Sequence, residues 1–101
     1  MTLLTTKQKK YLRGLAHTLT PVAYVGQKGV TDNLVAEVET ALNAHELVKI
    51  RFNDYKERDT KKEITAVLAQ KTRAQLVGMI GHMVILFRPH PDKAKREIKL
   101  S

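Results

Sequence analysis

Apolar positions recur along this chain in blocks whose spacing switches between helical and strand-like periods. Leu4, Gln8, Tyr11, Leu12 and Leu15 fall within one arc of about 100° on a helical wheel, the pattern of a packed helix face. Thr5-Thr6-Lys7-Gln8 has the form of a capping box, so a first helix is predicted from here to about Ala16. A turn around His17-Thr18-Leu19-Thr20 delivers Pro21-Val22-Ala23-Tyr24-Val25, predicted as a short, largely buried strand. Thr31 then reads as the N-cap of a second helix, with Val30 stapled to Val35 and Leu34, Val35, Val38, Ala41 and Leu42 turned inward. The outer face of that helix presents Glu37 and Glu39.

Leu47 to Phe52 alternates, with Val48, Ile50 and Phe52 on one face and Lys49 and Arg51 on the other, as a half-buried strand requires. A second capping box, Thr60-Lys61-Lys62-Glu63, predicts a third helix with Ile64, Val67 and Leu68 inward. Residues 74–80 and 83–88 read as a hairpin turned at Gly81-His82, its second strand apolar on both faces as in a central strand. Pro89 and Pro91 stop that strand. The order helix, strand, helix, strand, helix, strand, strand predicts a two-layer α/β sandwich on a four-stranded mixed sheet. A single domain is expected over residues 1–91, followed by a basic tail at 92–101. The second and third helices belong on one sheet face, and the pattern leaves the place of the first helix open.

Composition narrows the chemistry. The chain of 101 residues has no cysteine, so it can hold neither a disulfide framework nor a thiolate metal site. Its only serine is Ser101, and no GxSxG, Walker or Rossmann pattern occurs. His17, His45, His82 and His90 stand singly, and Asp54, Glu57 and Asp59 match no calcium-loop spacing. These readings predict no catalytic residue, no metal, no cofactor and no small-molecule substrate. No stretch approaches the roughly 18 apolar residues of a membrane span, so a soluble, unexported, cytoplasmic protein without a membrane partner is expected.

The net charge of +8 is segregated along the chain. Residues 1–31 carry five bases and no acid, residues 32–63 carry eight acids and six bases, and residues 64–101 carry seven bases and two acids. Such segregation points to a polyanionic partner. A charged helix face is ordinarily just a solvated one, but solvated faces mix both signs, and the face bearing Lys7, Lys9, Lys10 and Arg13 has no acid.

Between the first strand and the second helix stands Gly26-Gln27-Lys28-Gly29. Glycine permits positive φ and close main-chain approach, and a helix N-terminus favours a phosphate, so this turn is a candidate phosphate cradle. A strand-to-helix turn also uses glycine for geometry alone. The acid-free helix, the turn with its Lys28, and the Lys49 and Arg51 face together point to nucleic acid. Aromatic residues are few: Tyr24, Phe52 and Phe87 sit in apolar runs and are expected in the core, leaving Tyr55 as the exposed ring. Recognition of backbone and shape is therefore expected over base reading. A general nucleic-acid-binding module and a domain whose basic face meets an acidic protein or an anionic membrane are the competing readings.

Leu12 to His17, Pro21-Val22, Val25 to Thr31, Val35 to Val38, Ala41-Leu42, His45 to Lys49, Ile80-Gly81 and Leu86 to Pro89 jointly resemble the CRM domain family (chloroplast RNA splicing and ribosome maturation), in particular its stand-alone bacterial YhbY-type members. The resemblance implies a fold similar to the C-terminal domain of translation initiation factor three, RNA binding through a KH-like GxxG loop at Gly26, Gln27, Lys28 and Gly29, and a basic first helix. It further implies association with ribosomal RNA in precursors of the large ribosomal subunit. Plant members of the family also serve intron splicing. His82 departs from the basic residue that the resemblance leads one to expect after the hairpin glycine.

Overall fold

The computed structural model describes residues 3–55 and 57–100; Met1, Thr2, Ser101 and Lys56, a member of the loop at 53–59, lie outside the described residues. The elements follow the expected order: α1 (Thr6–Ala16), β1 (Ala23–Val25), α2 (Asp32–His45), β2 (Leu47–Phe52), α3 (Arg58–Thr72), β3 (Gln75–Ile80) and β4 (Met83–Phe87). A short 3-10 turn follows at Lys93–Lys95. The strands form one sheet in the order β1-β2-β4-β3, with β1 parallel to β2 and the other pairs antiparallel. The run predicted to be central is central.

Local chemistry sets the helix starts. Thr5 and Gln8 form the reciprocal capping box ahead of α1, and the Thr31 hydroxyl accepts from the Leu34 amide at 3.1 Å ahead of α2. Helix α3 differs from expectation, because it begins at Arg58 after Glu57, which makes no side-chain cap. Thr60 is thus already helical, and its box does not form. Within α3, Val67 is exposed, while Thr65, Leu68 and Thr72 face inward. Lys61 is buried as well, with its ammonium donating to the Gly81 carbonyl at 2.8 Å, which ties α3 to the hairpin turn. A polar sequence face hid that contact.

Helices α2 and α3 cover one face of the sheet, where Leu34, Val38, Leu42 and Leu68 meet Val25, Val48, Ile50, Phe52, Val84 and Leu86. Helix α1 covers part of the opposite face through Leu12 and Ala16, packed on Leu47, Val77, Ile85 and Phe87. Burying a side chain such as Leu12 stabilises by about 1.5–3 kcal/mol. The packed stripe of α1 is rotated from the predicted arc: Ala16 is buried beside Leu12 against Leu47, Val77, Ile85 and Phe87, while Tyr11 and Leu15 are exposed. A register shift between Leu76 and Gly78 in β3 adds a residue there, and Val77 enters the cluster under α1.

The C-terminal segment returns to the body. Ile98 and Leu100 pack against the cluster under α1. The carboxylate of buried Glu46 accepts from the amides of His90 at 2.7 Å, Glu97 at 2.8 Å and Ile98 at 3.1 Å.

Candidate nucleic-acid interface

The Gly26–Gly29 turn is held by one hydrogen bond of its own and by two from the loop after β2. The Gly29 amide donates to the Gly26 carbonyl at 3.0 Å, closing a tight turn, and Gly29 takes φ +68°, which glycine adopts without strain. From the loop after β2, the Asn53 amide donates to the Val25 carbonyl at 2.9 Å, and the Tyr55 hydroxyl donates to the Gln27 carbonyl. The turn is therefore fixed in place while Gln27 and Lys28 remain exposed. Tyr55, expected as a free ring, is instead half-buried against the α2 side of the core.

The alternation in β2 puts Lys49 and Arg51 on the sheet face that α1 shares. Lys49 is half-buried and reaches the His17 carbonyl at the end of α1 at 3.4 Å. Arg13 lies across Gly78 of β3: a Cβ added at Gly78 would stand 2.9 Å from Arg13 Cδ. Arg13, Lys49 and Arg51 are thus gathered on one face. Lys10 is exposed and Lys9 half-buried on α1. Lys7, near the start of α1, is close to the far end of the sheet, where the Leu4 amide bonds the Gln75 side chain. The turn and Lys7 lie at opposite ends of the molecule's sheet and do not form one compact site.

Register shows how much of that face α1 leaves open. Leu47, Phe87 and Gln75 form one cross-sheet row, and Lys49, Ile85 and Gly78 the next. Both carry α1, through Leu47, Phe87 and Ile85 and through Arg13 over Gly78. A further row runs Tyr24, Arg51, Met83, Ile80 across all four strands. Tyr24 is 53% exposed and Ile80 60%. Tyr24 lies outside the core, contrary to expectation: Ala23 and Val25 point toward α2, so strand alternation turns Tyr24 outward.

Acidic groups bound the interface. Asp32 is exposed at the start of α2, and Glu37 lies with Tyr24 along a concavity beside the turn. Glu39, expected on the open outer face of α2, is paired with Arg88 at 2.7 Å and takes no part. Among the described residues no three His, Cys, Asp or Glu side chains cluster as metal ligands, and no helix is long and apolar enough to cross a membrane.

A family model described as the CRS1/YhbY (CRM) domain matches residues 4–88. The chain is 46% identical over 92 residues to a Haemophilus influenzae protein named RNA-binding protein, covering 91% of this chain and 92% of that one. It is 39% identical over 98 residues to the Bacillus subtilis protein named Probable RNA-binding protein YqeI, covering 97% of this chain and 99% of that one. The solution structure of the hypothetical protein SAV1595 from Staphylococcus aureus superposes with a TM-score of 0.78 at 34% identity, covering 96% of this chain and all of that one.

Proposed function

The chain belongs to the CRS1/YhbY (CRM) domain family, and from that premise we propose that it is an RNA-binding protein that acts without catalysis on ribosomal RNA, in precursors of the large ribosomal subunit in the cytoplasm. The Gly26-Gln27-Lys28-Gly29 turn grips one short length of backbone. Lys28 and the first amides of α2 meet its phosphates, and Arg13, Lys49 and Arg51 continue the contact over the sheet. Lys7, Lys9 and Lys10 supply longer-range attraction from α1.

The observation that carries this reading is that three basic side chains from α1 and β2 share one sheet face, with Arg51 in register beside Tyr24 just ahead of an exposed turn pinned by Asn53 and Tyr55. Names of relatives such as the Haemophilus influenzae RNA-binding protein agree with it. Sedimentation of cell lysate through a gradient tests the ribosomal part. The protein is expected in large-subunit precursor fractions at low salt and free at high salt, and its absence from every ribosomal fraction at low salt refutes the assignment.

A further inference from the structure

Beside the GxxG turn lies a concavity whose walls are Tyr24, the turn itself, and Thr31, Asn33 and Glu37 at the start of α2. Its chemistry does not suit phosphate alone. A carboxylate repels phosphate, and an exposed aromatic ring gains nothing from it; both suit a nucleobase, which stacks on a ring and offers N–H donors at its edge. Resting on the RNA-binding reading above, we propose that this concavity receives the base of an unpaired nucleotide whose own backbone lies on the turn. The base stacks on Tyr24, and Arg51, the register partner of Tyr24 on β2, sets a cation beside that ring. Asn33 meets the base edge as donor or acceptor, while Glu37 accepts from an exocyclic amino group. The site therefore prefers bases carrying an amino group to uracil, and single-stranded segments to paired ones, because a base inside a duplex cannot enter.

Binding of single-stranded oligo(A), oligo(C) and oligo(U) RNA and of a blunt RNA duplex to the full chain tests this. Tyr24→Ala should weaken oligo(A) and oligo(C) about fivefold to a hundredfold and leave the duplex unchanged, with Tyr24→Phe retaining wild-type affinity. Glu37→Gln should erase the preference over oligo(U). Tyr24 and Glu37 are exposed, so both variants keep the core. Equal loss on duplex and single strands in Tyr24→Ala, no loss at all, or uniformly tighter binding in Glu37→Gln would overturn the base site. A wild-type chain that binds no RNA would instead refute the function from which the site was argued.

Discussion

Tyr55 holds Gln27: the phenol hydroxyl on the loop after β2 donates to the main-chain carbonyl in the middle of the GxxG turn. The same hydroxyl would stand 3.7 Å from a Cβ at Gly29. Removing it by Tyr55→Phe is expected to lower stability by about 1 kcal/mol, the net value of one such bond. RNA affinity should fall a fewfold as the turn loosens, with the salt dependence of binding unaltered because every cationic side chain is still present. Chemical denaturation together with titrations at several salt concentrations checks both halves.

Lys28 has the opposite signature. Lys28→Ala alters an exposed side chain, so the melting temperature should hold, whereas the slope of log affinity against log salt should shrink by about 0.7–0.9 for each phosphate that is no longer neutralised. An unchanged slope in a folded Lys28→Ala protein argues against a phosphate at the turn. Gly29→Asp is a less selective probe, because φ +68° strains any residue with a Cβ by about 1–3 kcal/mol.

Gly78 makes room for Arg13. In Gly78→Ala the new methyl group displaces the Arg13 stem, which is flexible enough to move, so stability should change by about 1 kcal/mol or less. RNA affinity should fall to the level of Arg13→Ala, and the double variant should show no further loss. A double-mutant cycle measured by RNA titration checks this; additive losses would mean that the two positions act separately.

Glu46 anchors the C-terminal segment. Truncation in Glu46→Ala leaves the amides of His90, Glu97 and Ile98 without their shared acceptor and should cost about 2 kcal/mol or more. Limited proteolysis should cut near residues 91–100 faster in Glu46→Ala than in the wild type, with Glu46→Gln intermediate because one carbonyl oxygen remains. An unchanged cleavage rate would show that Ile98 and Leu100 hold the segment unaided.

Much of the architecture was legible in the chain. The Thr5 and Thr31 caps, the Val48, Ile50 and Phe52 alternation and the Gly81-His82 turn are local devices, and each formed where it was predicted. Glu57 shows where local reading stops: α3 starts from it without a side-chain cap, ahead of the Thr60 box that was expected to set the first turn. The lysine of that box, Lys61, instead reaches the hairpin carbonyl of Gly81, twenty positions away. The pairing of Arg88 with Glu39, which removes an acid from the outer face of α2, is likewise nonlocal.

The candidate interface divides along the same line. Sequence alone determined the GxxG turn, the acid-free α1 and the shared strand face of Lys49 and Arg51, because backbone freedom, charge and strand alternation depend on near neighbours. Only the tertiary structure decided that α1 buries Ala16 beside Leu12 in place of Tyr11 and Leu15, with Arg13 over Gly78, that Tyr55 braces Gln27, and that Tyr24 faces outward in register with Arg51. Those relationships join elements distant in the chain, and which flank of an apolar helix is buried, or which way a three-residue edge strand turns its ring, is set by the surfaces it meets.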